Sequence, residues 1–246
     1  MWDNVLLLRN LTRALMFVSA SLVVYGAAHY VTHLPHLLPI KSVRLNSVPN
    51  RIVSENVKAL VQREVKGNFF TVDIDGLRLA LKKLPWVRNV SIRREFPNTL
   101  VLTFEEHQPL ARWNSVALVN QQGEVFSAQT EQILPRFIGY EGSAPKVTQQ
   151  YAKYSDLLAV LHLQIKQMAL SPRQAWRLQL SNNMIVELGH DETQQRLARF
   201  ITVYPYSLGI TPEPKKGSES VQEGSLQVVD MRYSNGFAVR KRNGNV

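Results

Sequence analysis

The 246-residue sequence contains no cysteine. Disulfide bonds and thiolate metal sites are therefore excluded. The compartment stays open, because a chain that is 45% hydrophobic can bury a sufficient core without a covalent cross-link. After the N-terminal anchor described below is subtracted, the length leaves room for one large or two small domains, and we expect two small ones.

The common catalytic motifs are absent as well. The sequence has no Walker loop, no H-E-x-x-H, no G-x-S-x-G and no dinucleotide fingerprint. One partial match is the S-x-x-K pattern from Ser143 to Lys146, with Ser181 beginning an S-x-N. Pro145 predicts a loop here, whereas such a nucleophile needs a helix start, and no K-T-G strand follows. We therefore predict a protein that is not an enzyme and uses no cofactor or small-molecule substrate.

Three histidines have a spacing that could place them on one helical face, namely His29, His33 and His36. No carboxylate joins them, and neutral histidines near a membrane interface are the more ordinary interpretation. No metal site is predicted.

One hydrophobic run is long. Residues 14–31 contain no Asp, Glu, Lys or Arg, and as a helix they reach about 27 Å, close to the hydrocarbon thickness of a bilayer. Arg9 and Arg13 precede the run, which favours a cytoplasmic N-terminus. Gly26 and Ala28 have the spacing of a signal-peptide cleavage site, so a cleavable signal remains the less favoured alternative to a transmembrane anchor.

Positive charge is concentrated after this run. Of the net charge of +10, residues 41–113 contribute about +6, since they hold 13 Lys/Arg against 7 Asp/Glu. Nucleic acid, acidic lipid head groups and an acidic protein are the three candidate partners for such a segment. A membrane anchor argues against nucleic acid, and we predict none. The other two remain open.

The segment from 40 to 106 has the pattern of a small mixed domain. A strand over 40–45 is followed by a helix starting at Ser54 and a second helix that ends before Pro85. Alternating residues over 87–94 then turn at 96–99 into a return strand. The predicted order is β-α-α-β-β, with two helices covering one face of a three-stranded sheet.

The remainder is richer in strands. The pattern predicts two hairpins before the last one, a long amphipathic helix, a shorter helix beginning near Asp191, and a loop. The corresponding ranges are strands at 113–119, 124–127, 176–180 and 184–188, the long helix at 150–168, and the loop at 205–224. No internal repeat or low-complexity tract appears.

A final hairpin is predicted from 226–233 and 237–240 around Asn235 and Gly236. Terminal strands often form sheet edges that can accept a strand from another protein, and Arg232 and Tyr233 lie beside this one. In the alternative interpretation, Tyr233 and Phe237 form a cross-strand pair that only packs the hairpin. The sequence favours neither.

Several motifs resemble those of a known family, in a fixed order from the anchor to about residue 239. They comprise Pro85-Trp86-Val87, Val90, Ile92, Arg94, Phe96-Pro97, Glu106, Pro109, Ala111-Arg112-Trp113, Leu197-Ala198-Arg199-Phe200, Val229-Asp230-Met231-Arg232-Tyr233 and Gly236. The sequence is thereby identified as a member of the bacterial FtsQ/DivIB cell-division family.

The resemblance implies an α+β chain with an uncleaved, single-pass anchor and its N-terminus inside. The expected organisation is a cytoplasmic tail (1–13), a transmembrane helix (14–31), a β-α-α-β-β POTRA domain (38–107), a mixed antiparallel β domain with two helices (108–240) and a disordered tail (241–246). The expected location is the inner membrane at the division septum, with the bulk in the periplasm. A different POTRA-bearing membrane assembly factor is the alternative, although the length leaves no room for a barrel.

The resemblance also implies partners. Members of this family are non-enzymatic scaffolds that bind FtsB and FtsL, and FtsK and the septal wall synthesis proteins are further candidates. FtsB is expected to add a strand at the last β strand. The implied partner-binding residues are Arg173, Arg232, Tyr233, Asn235, Gly236, Phe237 and Val239.

Overall fold

A computed structural model describes residues 5–34, 38–46, 50–208, 226–233 and 236–242. The chain divides into two compact units, Met1–His107 and Gln108–Val246. The first contains the apolar helix and the small mixed domain, and the second contains the strand-rich region. Helices and strands are numbered in chain order.

The first helix, α1, spans Val5–Thr32. Among the residues that the structure describes, it is the one helix long and apolar enough to cross a membrane, over Leu8–Thr32, and none of that window is buried. The helix begins well before the predicted start of the apolar run at residue 14. Charged Arg9 and Arg13 do not stop it, because straight-chain residues favour a helix whatever their charge.

The predicted β-α-α-β-β order of the small domain is confirmed. Its elements are β1 (Ser42–Leu45), α2 (Ser54–Glu64), α3 (Ile74–Leu81), β2 (Val87–Glu95) and β3 (Thr99–Glu106). The sheet order is β1-β3-β2, in which β1 runs parallel and β2 antiparallel to β3. Asp73 begins α3 by accepting a hydrogen bond from Gly76 N at 2.9 Å, which satisfies one of the free N–H groups of the first turn.

The core of this domain lies between the two helices and the sheet. Leu77 and Leu81 of α3 and Leu100 and Leu102 of β3 are almost completely buried. Burying each such side chain stabilises the fold by roughly 1.5–3 kcal/mol. The buried leucines of α3 and of the central strand β3 therefore contribute much of the stability of this small domain.

The second unit is built on a nine-stranded mixed sheet in the order β12-β11-β10-β9-β8-β7-β4-β5-β6. The strands are β4 (Pro109–Trp113), β5 (Ala117–Asn120), β6 (Val125–Phe126), β7 (Arg136–Ile138), β8 (Ile165–Leu170), β9 (Trp176–Leu180), β10 (Ile185–Gly189), β11 (Leu226–Asp230) and β12 (Ala238–Arg242). Pairs β4–β7, β7–β8 and β10–β11 are parallel.

Two helices cover this sheet, α4 (Ala144–Leu158) and α5 (Thr193–Val203). They contact each other, and α4 also contacts β8 while α5 contacts β10. Tyr154 of α4, Phe200 of α5 and Phe137 of β7 are completely buried. The α+β architecture predicted for the chain is confirmed, with the β-rich unit carrying two helices.

The long helix predicted at 150–168 is wrong in its second half. After α4 a short 3-10 turn covers Ala159–Leu161, His162 adopts a left-handed φ of 54°, and Ile165–Leu170 is a strand. Ile165 and Met168 are both buried and lie three residues apart, a spacing that suits a helix. The stretch is nevertheless a strand, because it pairs with β7 on one side and with β9 on the other.

The single strand predicted at 113–119 is also wrong. The chain turns after Trp113, where Asn114 has a φ of 50°, and β5 returns antiparallel to β4. At the C-terminus, β12 extends to Arg242, two residues into the stretch expected to be a disordered tail. The rest of that stretch lies outside the described residues.

Candidate partner-binding edge

The last strand is an edge of the large sheet. β12 pairs antiparallel with β11, with Val239 opposite Val229 and Ala238 opposite Asp230. On its other side, β12 has no neighbouring strand in the described part of the chain. An edge of this kind presents backbone N–H and C=O groups that can pair with a strand from another protein.

Arg232, just after β11, belongs to a line of alternating charges across three strands. Its Nε and Nη2 donate to the two carboxylate oxygens of Asp230 at 2.9 and 2.6 Å. The Nη2 atom also lies 3.7 Å from Glu187, whose second oxygen accepts a hydrogen bond from Arg177 at 2.7 Å. The Arg232 side chain remains 58% exposed.

This two-point contact perturbs both groups. The hydrogen bond from the Arg232 side chain lowers the pKa of Asp230 and outweighs burial, which acts in the opposite direction. The same hydrogen bond raises the pKa of Arg232. The guanidinium therefore stays charged and is held in one orientation beside the edge strand.

A glycine makes room for Arg232. Gly189, at the end of β10, has a φ of 74°, and a Cβ built there would lie 3.2 Å from Arg232 Cγ and 2.7 Å from Arg196 Nη1. From α5, Arg199 Nη1 donates to the backbone oxygen of Tyr233 at 3.2 Å. Arg232 is thus tied to the sheet, and the backbone of Tyr233 is tied to α5.

The two aromatic residues of this hairpin have different environments. Tyr233 is 60% exposed, whereas Phe237 is partly buried against the core of the unit. Neither residue belongs to the paired register of β11 and β12. Phe237 therefore takes part in packing the hairpin, and the Tyr233 side chain is exposed to solvent.

The remaining predicted residues of the hairpin lie at or near the edge strand. Val239 is 42% exposed on β12, and a Cβ at Gly236 would have no heavy atom within 4 Å. Asn235 lies outside the described residues. The described positions predicted from the last hairpin, Arg232, Tyr233, Gly236, Phe237 and Val239, are thus gathered at one end of the sheet.

Arg173 lies in the exposed turn between β8 and β9. Ser171 and Pro172 of this turn line a groove of about 500 Å³ whose wall also includes Trp176, Glu187 and Arg232. The turn that carries Arg173 and the side chain of Arg232 therefore border the same groove. No contact between the two arginines is shown.

The surroundings of Arg232 were not predicted from the sequence. They comprise Asp230, Glu187 and Gly189 beside Arg232, and Arg177, which pairs with Glu187. The signal for Asp230 was its position two residues before Arg232, which lets the carboxylate reach the following guanidinium. Glu187 and Arg177 could not be recognised without the β9–β10 register, in which they stand opposite each other.

The S-x-x-K match has a different context from the predicted loop. Ser143 is the residue before α4, with Pro145 in the first turn, so the prediction of a loop at Pro145 is wrong. Ser143 is nevertheless 2% exposed and its hydroxyl donates to Tyr140 O at 2.5 Å. Lys146 donates to Gln174. Neither group is placed for nucleophilic chemistry.

The histidines at the end of α1 are arranged as stacked rings. His29 and His33 lie with their ring centroids 4.0 Å apart, and His33 Nδ1 is 2.8 Å from His29 O. His36 lies outside the described residues. Within the described ranges, no group of three or more metal-ligating side chains is found.

Comparison with known proteins matches both units. The family model for the FtsQ-type POTRA domain matches residues 38–107, and that for the C-terminal region of cell division protein FtsQ/DivIB matches residues 111–232. The cell division protein FtsQ of Nitrosospira multiformis is 37% identical over 98% of this chain and 99% of its own length. FtsQ of Burkholderia pseudomallei is 36% identical over 98% of this chain and 94% of its own length, and FtsQ of Escherichia coli is 34% identical over 70% and 62%. The chain therefore belongs to the FtsQ family of cell division proteins.

Proposed function

We propose that this protein is a non-enzymatic scaffold of the bacterial division complex that binds FtsB by strand addition at β12. FtsL joins through the same complex, and FtsK and the septal wall synthesis proteins are further partners. The role in cell division rests on family membership. The partner-binding surface rests on one observation, the edge strand β12 with Arg232 oriented beside it.

Strand addition suits the chemistry of this edge. Backbone hydrogen bonds supply affinity that depends little on side chains, while an arginine paired with a carboxylate fixes the register. Asp230 already occupies two donors of Arg232. A guanidinium has five N–H donors, so a carboxylate on the partner strand can bind the remaining ones without breaking the internal pair.

The topology follows from α1. Arg9 and Arg13 near its N-terminal end favour a cytoplasmic position for residues 1–13, and the small mixed domain and the second unit then lie in the periplasm. The boundaries proposed for the span and its flanks are 14–31, 38–107 for the POTRA domain and 108–240 for the β domain. In this arrangement β12 can meet the periplasmic segment of another single-pass division protein at the septum.

Site-specific photocrosslinking tests the proposal. A photoreactive amino acid replaces Val239 on β12 or, as a matched control, Val125 on β6 at the opposite edge of the same sheet; the two valines are 42% and 47% exposed. We expect a crosslink to FtsB in living cells from position 239 and none from position 125. Equal crosslinking from both edges, or a crosslink from position 125 alone, would contradict the proposal.

A further inference from the structure

A buried asparagine joins the small domain to the end of the apolar helix. Asn68, between α2 and α3, is 0% exposed. Its Nδ2 donates to the backbone oxygens of Thr32, the last residue of α1, and of Leu34, at 2.7 and 3.0 Å. Thr32 is the last residue of the membrane-crossing window, and Leu34 lies two residues beyond it. The loop containing Asn68 is thus held directly against the end of α1.

The other half of the same amide shapes that loop. Asn68 Oδ1 accepts hydrogen bonds from Phe70 N at 2.9 Å and from Thr71 N at 2.9 Å. Phe69 N donates to Leu38 O at 3.0 Å, beside the isolated bridge between Pro39 and Asn68. Every polar atom of the Asn68 side chain therefore has a partner, as a buried amide requires. The loop and the segment after α1 form one hydrogen-bonded structure.

Phenylalanine rings project from this structure. Phe69 lies edge-to-face against Phe70 and against Phe96, with centroid distances of 5.4 and 6.1 Å. Phe70 is 46% exposed and Phe96 is 74% exposed. We call residues 66–70 and 93–98 the phenylalanine tip. The end of a membrane-spanning helix lies near the lipid interface, where exposed phenylalanine rings can bury apolar surface among the head groups.

Positive charge surrounds the phenylalanine tip. Lys66, Arg93 and Arg94 belong to it and are exposed, and Lys41 is brought to it by the hydrogen bond from its backbone N to Asn98 O at 2.9 Å. The carboxylate of Glu95, in the same region, faces Arg44 at 3.3 Å. The tip thus combines exposed aromatic rings with a net excess of cations, which matches a surface of anionic phospholipid head groups.

We propose that the phenylalanine tip docks on the bilayer surface at the C-terminal end of α1, with Phe70 and Phe96 entering the interface. The proposal rests on α1 spanning a membrane and is independent of partner binding at β12. It commits to a lipid surface because the hydrogen bonds of Asn68 keep the tip within reach of the end of α1. The small domain then keeps a fixed orientation relative to the membrane instead of changing its orientation freely at the end of α1.

The absence of cysteine allows a direct depth measurement on the full chain. The variant Phe96→Cys is labelled with an environment-sensitive NBD fluorophore and placed in nanodiscs of phosphatidylethanolamine and phosphatidylglycerol. Quenching of the NBD fluorescence is measured by comparing nanodiscs with and without nitroxide-bearing lipid. Val53→Cys is the matched control, since Val53 is 54% exposed. Its neighbour Ile52 contacts Glu106 at the far end of β3, and that strand is about 23 Å long. Leu22→Cys in α1 reports whether the helix is inserted.

In nanodiscs that contain nitroxide-bearing lipid, we expect the label at position 96 to be quenched several-fold more strongly than that at position 53, and the label at position 22 to be quenched strongly. Equal, weak quenching at 96 and 53 with strong quenching at 22 overturns the docking while leaving the membrane span intact. A label at 96 that becomes shielded only when another division protein is added to the nanodisc also overturns it, because the tip would then be a protein-binding surface.

Asn68→Asp tests the link itself. This variant keeps an oxygen acceptor for the amides of residues 70 and 71 but removes the Nδ2 donor to Thr32 and Leu34. We expect quenching at position 96 to fall toward the value at position 53, while circular dichroism and quenching at position 22 stay unchanged. Unchanged quenching at position 96 in this variant overturns the role of Asn68 in holding the tip on the membrane.

Discussion

Arg232 and Asp230 form a two-point ion pair, with both carboxylate oxygens of Asp230 accepting from one guanidinium at 2.9 and 2.6 Å. The arginine proposed to meet a partner's carboxylate is therefore already oriented within its own chain. Such pre-organisation lowers the entropy lost when the partner binds, because the long side chain is immobilised beforehand.

Arg232→Ala should weaken FtsB binding by at least about tenfold, which corresponds to roughly 1.4 kcal/mol, because the partner's carboxylate loses its counter-charge. The free energy of unfolding should change by about 1 kcal/mol, because the Arg232 side chain is 58% exposed and solvent screens the pair, although Asp230 is only 18% exposed. Binding is measured by titration of the full chain in detergent with FtsB. Arg44→Ala, which removes a comparable exposed ion pair in the first unit, is the control. Equal affinity in the two variants would argue against the role of Arg232.

Asp230→Asn should make stability less dependent on acid. The pKa of Asp230 is lowered in the folded chain by the Arg232 hydrogen bond, relative to an ordinary value of 3.8. Its contribution is therefore fully present above pH 3.8 and is lost as the pH falls through the lower folded value. Denaturant unfolding from neutral pH downward should show the wild type losing its advantage over the variant in that acid range. A constant difference at all pH values would contradict this assignment.

Gly189→Ala should displace Arg232, because the new Cβ would lie 3.2 Å from Arg232 Cγ and 2.7 Å from Arg196 Nη1. Gly142→Ala is a matched control with a similar positive φ of 78° and no heavy atom within 4 Å. Both variants should lose about 1 kcal/mol of stability from backbone strain. Only Gly189→Ala should also weaken FtsB binding. Equal binding by both variants would show that the space above Gly189 does not matter for Arg232.

Ser143 should not react with a fluorescent penicillin. Its hydroxyl is buried and donates to Tyr140 O, and Lys146 is engaged by Gln174. The measurement is in-gel fluorescence of the full chain, with a penicillin-binding protein as positive control. Labelling that disappears in Ser143→Ala would revive an enzymatic function.

The small domain was predictable because its signals are local. Alternation in β2 and β3, the Pro85 that follows α3 and the apolar face of α3 all depend on neighbours in the chain. The stretch at 165–168 was not predictable from its pattern. Ile165 and Met168 are three residues apart, a spacing that suits a helix, and only the neighbouring strands β7 and β9 place them on a strand.

The candidate site divides in the same way. The hairpin at the C-terminus and the apolar character of α1 could be recognised from residue types and spacing alone, because each depends on a short stretch of chain. The sequence left the role of Tyr233 open, and the structure shows that its side chain is exposed while Phe237 is partly buried. The approach of Arg232 to Glu187 depends on β11 lying parallel to β10, and the free side of β12 depends on the order of the nine strands. The hydrogen bonds from Asn68 to Thr32 and Leu34 likewise join residues that are 36 and 34 positions apart in the sequence. Contacts between residues so far apart in sequence depend on packing and hydrogen bonding in the folded chain. Only the tertiary structure could therefore show them.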